Sequence, residues 1–289
     1  MAEWGPTMDH GTNRPFGNVE QAIAALNASR PLEAERIARD VLENEPRHAG
    51  AFRVLGYALL MQNRAQDAVA ALEAAVRDSH DPELETEFAI ALRHAGRHEE
   101  ALHQLKRTIK RKPPYAAAFH ELGCLLATMK RYDEAIAAFK RGLEIAPMTP
   151  ELSIQLGYAY LNSASFTDAK IAFDNALHIA PASRDARFGM AMAQQELGEF
   201  EQAAEDLRRC LMATPDDPMA LLGLGNCLLA LGQHDAGYEY FRAAVRGEDP
   251  RRYGMALGSL VKAAQGRFWL KPSDAARFLR ERNASASAP

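Results

Sequence analysis

The chain has 289 residues, of which 47% are hydrophobic and 25% are charged, and its 34 basic and 38 acidic side chains give a net charge of -4. This composition is typical of a folded globular protein and excludes a collagen, a wholly disordered chain and a strongly basic nucleic-acid-binding domain. The three cysteines form no Cys-x-x-Cys pair, which indicates neither a disulfide framework nor a zinc site and favours a reducing compartment.

The first 14 residues are polar, and they carry Glu3 and Asp9 where a signal peptide has a basic patch followed by an apolar run. We therefore expect residues 1–14 to form a disordered tail and the protein to be cytoplasmic. The longest strongly apolar stretch, Leu221 to Leu231, contains Asn226 and is far shorter than the roughly 20 residues of a membrane helix. The sequence thus predicts no membrane insertion.

Small and helix-breaking residues recur along the chain at a fixed interval. Prolines are spaced by 34 residues at Pro113, Pro147, Pro181 and Pro215, and alanines by the same interval at Ala101, Ala135, Ala169 and Ala203. A glycine lies twelve residues before two of these alanines, at Gly123 and Gly157. Such a period is typical of helical repeats. Two small residues twelve apart permit the two antiparallel helices of one repeat to cross closely.

Each predicted unit consists of a helix, a short turn, a second helix and a proline stop, because proline cannot continue a helix. Gly96, Gly198 and Gly232, or Asn63, occupy the turn, where a left-handed residue ends the first helix at little energetic cost. The units begin near residues 15, 49, 82, 116, 150, 184 and 218. Seven helix pairs are therefore predicted over residues 15–249.

The pattern resembles the tetratricopeptide repeat family, whose motif has a large residue, Leu-Gly, a later Ala, an aromatic or Leu, and Pro. In the best unit these residues are Phe119, Leu122, Gly123, Tyr132, Ala135, Phe139 and Pro147. The resemblance covers residues 15–249 and is weaker in the first and third units. It implies an all-α, right-handed superhelical solenoid in which the first helix of each pair lines a concave groove.

Two further helices are predicted over residues 250–282, the second of them after Ser273 as N-cap. They resemble a cap, because the end of a solenoid otherwise exposes an apolar face. Phe268, Trp269 and the other apolar residues of this segment would cover that face; the alternative is a dedicated aromatic docking site. The Ala- and Ser-rich residues 283–289 are expected to be a disordered tail.

The sequence contains no recognised motif for catalysis or cofactor binding. The chain has no glycine-rich phosphate loop, no Gly-x-Ser-x-Gly and no His-Glu-x-x-His. His94 and His98 straddle the turn at Gly96 and lack further metal ligands. Cys124, Cys210 and Cys227 fall at helical positions and are expected to be buried. We expect a non-catalytic protein without metal, nucleotide or other cofactor.

The only basic run, Lys106 to Lys112, lies within His103–Lys112 and contains five lysine or arginine residues. Cations near a helix C-terminus are favoured by the helix dipole, so a solvated convex face accounts for the run. The alternative is an interface for an acidic partner or a phosphate-rich surface, although no aromatic residues are interleaved.

The family resemblance also implies that specificity resides at groove-facing positions of the first helices. Aromatic residues and methionine supply adaptable apolar contact there, and the amides can pair with the N–H and C=O groups of a peptide. The alternative is that these side chains pack against the neighbouring unit. The predicted groove residues are Arg53, Tyr57, Met61, Arg93, His120, Tyr158, Asn162, Phe188, Met192, Gln195, Met219 and Asn226, with His94 and Cys124 at equivalent positions.

Some chaperone-binding members of this family hold a partner's C-terminal carboxylate with Lys or Arg and Asn placed one turn apart. The corresponding pairs here, Arg53 with Tyr57 and Leu222 with Asn226, do not match, so recognition of a C-terminal carboxylate is not indicated.

The sequence therefore predicts a non-catalytic scaffold or adaptor that holds a peptide segment or helix of a partner protein and binds no nucleic acid. Whether it forms a homo-oligomer is left open. Two alternatives remain: an auxiliary subunit of an enzyme or of an envelope or secretion assembly complex, and a self-assembling structural scaffold.

Overall fold

The computed structural model of the protein describes residues 18–77 and 79–245. The tails at 1–14 and 283–289 and the segment at 250–282, with Phe268 and Trp269, lie outside these residues. The described part contains helices and no strands, which confirms the predicted all-α helical repeat fold, and none of its helices is long and apolar enough to cross a membrane. Its helices are α1 (Val19–Asn27), α2 (Pro31–Asn44), α3 (Ala49–Met61), α4 (Ala65–Val76), α5 (Pro82–His94), α6 (His98–Thr108), α7 (Ala116–Thr128), α8 (Tyr132–Ile145), α9 (Pro150–Asn162), α10 (Phe166–Ile179), α11 (Arg184–Glu196), α12 (Phe200–Ala213), α13 (Pro218–Ala230) and α14 (His234–Ala244).

The chain divides into two units, Met1–Leu125 and Leu126–Pro289. The described part of the first unit contains α1 to α6, that of the second contains α8 to α14, and the division falls within α7. The odd-numbered helices are the first helices of the pairs, and the even-numbered helices are the second ones.

Within each unit, a second helix packs between two first helices. In the first unit α2 contacts α1 and α3, and α4 contacts α3 and α5; in the second unit α10 contacts α9 and α11, and α12 contacts α11 and α13. First helices also contact each other, as α3 does with α5 and α9 with α11. Among the described helices of either unit, second helices make no comparable contact with one another. The first helices therefore line the concave side of each unit.

Capping residues explain where the helices begin. Asp81 and Asp217 accept hydrogen bonds from the backbone N–H groups of Glu83 (2.9 Å) and Met219 (3.0 Å), and a proline follows each aspartate at the first helical position. Several second helices instead have an arginine N-cap that forms an ion pair with an acidic residue three positions later. These pairs are Arg30–Glu33, Arg64–Asp67, Arg97–Glu100 and Arg131–Glu134.

The turn inside each described helix pair contains a residue in the left-handed conformation. The prediction of this conformation for Asn63 and for the three turn glycines is confirmed. At one such turn, Arg97 N–H donates to the oxygen of Leu92 (2.9 Å) and Gly96 N–H donates to the oxygen of Arg93 (3.0 Å), which satisfies carbonyl groups at the helix end. The residues with positive φ are Ser29, Asn63, Gly96, Lys130, Ala164, Gly198 and Gly232.

Small residues permit close helix crossings, as the sequence predicted. A Cβ atom added to Gly157 of α9 would lie 2.7 Å from the ring of Phe173 on α10. A Cβ atom on Gly189 of α11 would lie 2.3 Å from the same ring. Phe173 is fully buried and fills the space left by both glycines. The alanines at the repeat interval are also fully buried: Ala34, Ala68, Ala101, Ala135, Ala169 and Ala203.

Replacing Ala169 by Leu should overpack the crossing of α9 and α10, because Ala169 is fully buried in a cluster with Phe173 and Met190. We expect the free energy of unfolding, measured by urea denaturation, to fall by about 1–3 kcal/mol. Ala70→Leu, at an exposed position of α4, is the matched control and should leave the midpoint nearly unchanged. Equal midpoints for the parent and Ala169→Leu would contradict this packing.

Candidate functional site

The concave face of the second unit is formed by α9, α11 and α13. We call it the second-unit groove. Seven of the residues that the sequence assigned to a groove lie on these three helices, and each keeps part of its surface accessible to solvent. They are Tyr158, Asn162, Phe188, Met192, Gln195, Met219 and Asn226.

Tyr158 connects the groove surface to the core. Its ring packs edge-on against Phe173, with centroids 5.1 Å apart and an interplanar angle of 77°. Its hydroxyl donates to the backbone oxygen of Asp185 at 3.2 Å, and this bond joins α9 to α11. Burial raises the pKa of Tyr158 to about 12, so the hydroxyl remains a hydrogen-bond donor at neutral pH.

Phe188 is half-buried against the cluster that contains Leu207 and Leu224. The guanidinium carbon of Arg184 lies 5.8 Å from the centroid of the Phe188 ring, and Arg184 also forms an ion pair with Asp217 at the start of α13. A cation over an aromatic face is attracted by the ring quadrupole. One edge of the groove is therefore held in place by Arg184.

The amide side chains of the groove differ in their roles. Gln195 donates through Nε2 to the backbone oxygen of Gly223 (2.8 Å) and to Sγ of Cys227 (3.0 Å), so both of its N–H groups link α11 to α13. Asn162 is exposed and donates to the oxygen of Tyr158 in its own helix (2.7 Å). Because the Asn162 side chain is exposed, its carboxamide oxygen is better placed than that of Gln195 to accept a hydrogen bond from a partner.

In the first unit, Arg53 bridges two helix pairs. Its Nε donates to Oε1 of Glu87 at 3.0 Å, and its guanidinium also pairs with Glu83. Glu87 is only 5% exposed, and burial raises its pKa although Arg53 donates to it. Burial and the nearby Glu87 carboxylate raise the pKa of Tyr57. Arg53 therefore neutralises acidic groups of the next pair. At the end of α3, Met61 is 48% exposed.

The remaining predicted residues of the first unit form a polar cluster. His120 and Cys124 lie one turn apart on α7, with Nε2 of His120 at 3.8 Å from Sγ of Cys124. Nδ1 of His120 lies 3.3 Å from Oε1 of Glu121, and Arg93 of α5 donates to the other oxygen of Glu121 at 3.2 Å. Cys210 and Cys227 are buried as expected, whereas Cys124 is only partly buried, so the prediction for this residue is wrong.

The basic run includes residues that stabilise a buried carboxylate. Glu85 of α5 is fully buried, and Arg111 donates to it at 2.6 Å while Arg107 lies 3.5 Å from it. Sequence reasoning missed Glu85, although the equivalent position is Phe52 in the preceding repeat and Phe119 in the next one. The interpretation of the run as only a solvated face is therefore incomplete, since Arg107 and Arg111 are structural. Lys106 and Lys110 are exposed.

Histidines do not combine with other ligands into a metal site in the part of the chain that the structure describes. Across residues 18–77 and 79–245, no three His, Cys, Asp or Glu side chains are grouped so that they could hold a metal ion. His94 is exposed at the end of α5, and His98 begins α6.

Repeated antiparallel helix pairs with an exposed first-helix face define a helical-repeat protein. The family model of the tetratricopeptide repeat matches this chain at residues 19–82, 86–148 and 188–252. These segments make up more than half of the 289 residues. The chain belongs to the tetratricopeptide repeat family, as the resemblance implied. Repeats of this family generally form non-catalytic protein-interaction scaffolds.

Solved structures resemble the chain in fold. MamA residues 41 to the end, from Desulfovibrio magneticus RS-1, is 20% identical over 58% of this chain and 96% of that chain, with a TM-score of 0.52. A chain of the Cut9–Hcn1 hetero-tetramer of the APC/C is 15% identical over 85% of this chain and 48% of that chain, with a TM-score of 0.66. YrrB, described as having an unusual peptide-binding site, is 19% identical over 64% of this chain and 95% of that chain, with a TM-score of 0.51. No curated protein matches the sequence.

Replacing Arg111 by Gln should destabilise the protein, because the buried Glu85 carboxylate loses its nearest cation. Burial alone would raise the pKa of Glu85, but hydrogen bonds from Arg111 and Thr108 hold it below its ordinary value. A depressed folded-state pKa stabilises the fold above the unfolded-state pKa, and this contribution is lost as the pH falls through the folded-state pKa. We expect a loss of about 1–3 kcal/mol at pH 7 that shrinks towards pH 3.

Urea denaturation of the parent and Arg111→Gln at both pH values measures this effect. Lys110→Gln removes one charge from the same run at an exposed position and should change the midpoint little. A difference between parent and Arg111→Gln that is absent, or that grows on acidification, would contradict the role assigned to Arg111.

Proposed function

We propose that this protein is a non-catalytic, cytoplasmic scaffold or adaptor that holds an extended segment of a partner protein in the second-unit groove. The observation that carries the proposal is the grouping of partly exposed aromatic and methionine side chains on three adjacent first helices. Membership of a family whose repeats generally form interaction scaffolds supports it. The groove is the surface of the second unit best suited to this role.

The side chains of the groove favour a particular kind of segment. Met192 and Met219 adapt to irregular apolar surfaces because their side chains are unbranched and polarizable. Asn162 supplies an exposed carboxamide for the backbone of an extended peptide. Glu196 is exposed on α11, and its charge favours a partner with a basic residue beside its apolar ones, whereas the Asp185 carboxylate is paired with Arg184.

Two of the similar structures give precedents for this mode of action. YrrB is described as having a peptide-binding site, and Cut9 is described in a hetero-tetramer with Hcn1. These properties belong to those proteins. For this chain, the two precedents support binding of a protein segment rather than catalysis. The sequence contains no recognised catalytic motif, in agreement with that assignment.

The groove can be tested with lysine substitutions at exposed positions, because truncation of Tyr158 or Phe188 would also weaken the core. Met219→Lys combined with Asn162→Lys should lower the affinity for the partner at least tenfold, a loss of about 1.4 kcal/mol. Moving the added ammonium groups out of water into an interface costs free energy, and their charge repels a basic segment. The partner is first identified by cross-linking and mass spectrometry, and dissociation constants are then measured by calorimetry.

The matched control places the same charges on second helices. Met212 is 83% exposed on α12 and Ile171 is 56% exposed on α10, so Met212→Lys with Ile171→Lys should leave the affinity unchanged. Loss of binding in this control, with binding retained in the groove variant, would move the site to the second helices. If the captured partner is another copy of this chain, the self-assembly alternative replaces the adaptor function.

A further inference from the structure

The second helix of the third pair, α6, and the turn after it carry cations that no acidic residue in the same stretch of chain balances. Between Glu100 and Glu121 the sequence contains five lysine or arginine residues and no aspartate or glutamate. The chain as a whole has an acidic excess, with 38 acidic against 34 basic residues. The charge of this stretch is therefore opposite in sign to that of the whole protein.

Three of these cations lie on one exposed face. The N–H of Lys110 donates to the oxygen of Arg107 at 3.2 Å, so the chain keeps its helical winding just beyond the end of α6. Residues three and four positions apart lie on the same face of a helix. Lys106, Arg107 and Lys110 have this spacing and are exposed, and Lys112 is exposed beyond them. We call these four residues the α6 basic surface.

The lysines of this surface have no charged partner within the described part of the protein. Glu85, the buried carboxylate beside the run, is paired with Arg111 at 2.6 Å and lies 3.5 Å from Arg107. In the part of the chain that the structure describes, none of the three lysines forms an ion pair with a carboxylate. The two arginines thus have a structural role, and the lysine charges are left for a partner.

Other second helices of the same fold do without such a cluster. α2, α4, α8 and α12 have no basic residue in the last turn, so the helix dipole, which favours cations there, does not by itself account for the lysines. Arginines on three other second helices pair with an acid three or four positions away, whereas the like charges at this spacing on the α6 basic surface repel one another. The pairs are Arg36–Asp40, Arg141–Glu144 and Arg209–Glu205. An anionic partner would relieve the repulsion.

The residues around the lysines distinguish between kinds of anionic partner. Stacking of bases on aromatic side chains is a main source of affinity for single-stranded nucleic acid, and residues 101–114 contain no Phe, Tyr or Trp. A helix that binds a membrane surface presents large apolar side chains beside its cations, and none is exposed among residues 98–114. A segment of consecutive Asp or Glu residues needs only the positive charges that this surface supplies.

We propose that the α6 basic surface binds an acidic segment of a partner protein. Lys106 and Lys110 are four residues apart on the helical winding, about 6 Å along its axis. Alternate residues of an extended chain point to the same side and are about 6.6 Å apart. Two carboxylates of an extended acidic segment can therefore each reach one of these lysines, and Lys112 provides a third contact. The proposal uses only residues of the first unit and does not rest on the second-unit groove.

Binding is measured on the full chain by fluorescence anisotropy with a labelled peptide of eight glutamates, and a peptide of eight glutamines is the neutral comparison. At about 50 mM salt the glutamate peptide should bind and the glutamine peptide should not, and binding should be lost near about 1 M salt because exposed charges are then screened. Lys106→Gln, Lys110→Gln and Lys112→Gln combined should weaken binding about eightfold, because each exposed ion pair contributes roughly a factor of two.

The matched control removes three positive charges elsewhere, with Arg47→Gln, Lys130→Gln and Arg208→Gln. These side chains are exposed, and none of them forms an ion pair within the residues that the structure describes. The control therefore has the same net charge as the lysine variant and should bind the glutamate peptide within about twofold of the parent. Thermal melting followed by circular dichroism should give the same midpoint for the parent and both variants.

The proposal is overturned if the two variants lose the same affinity, or if the parent binds both peptides equally or binds neither. Tighter binding of this surface to octathymidylate, or to phosphatidylcholine vesicles containing phosphatidylserine, would overturn the choice of an acidic protein segment. Self-association of the parent that the lysine substitutions abolish would assign the surface to a second copy of this chain instead. None of these results involves the second-unit groove, so the proposed scaffold function is tested separately.

Discussion

The close crossing of neighbouring helices is the constraint on which the rest of the structure depends. Phe173 is seated between Gly157 of its own pair and Gly189 of the next, and a Cβ atom on either glycine would collide with its ring. One aromatic side chain thus sets the spacing of α9, α10 and α11. Because interiors are close-packed, such contacts leave little freedom in how successive first helices lie side by side. The groove is a consequence of that spacing.

Buried carboxylates add a second constraint. A buried charge without a partner is strongly destabilising, so an arginine from another part of the chain must reach each one. Glu35 with Arg64 and Glu87 with Arg53 join neighbouring helix pairs and oppose sliding of one pair past the next. Glu85 with Arg111 joins α5 to the segment after α6 within one pair.

These two constraints give the concave faces of the two units different chemistry. In the first unit the charged residues are engaged with one another, as in Arg53 with Glu87 and Arg93 with Glu121, and His120 and Cys124 lie beside them. In the second unit Gln195 is used to join α11 to α13, which leaves a surface of aromatic and methionine side chains near Asn162. The same repeat therefore presents a polar cluster in one unit and an apolar groove in the other.

The sequence by itself determined the helices, their turns and the small residues at their crossings, because these follow from short-range periodicity and from the backbone preferences of Gly, Asn and Pro. It did not predict the left-handed turn conformation of Lys130 and Ala164, because neither lysine nor alanine favours that conformation. The tertiary structure alone decided which groove residues are engaged inside the protein, as with Arg53, and why Arg111 is structural. Such pairings join residues 26 to 34 positions apart, and the distance between their atoms is fixed only when the helices pack.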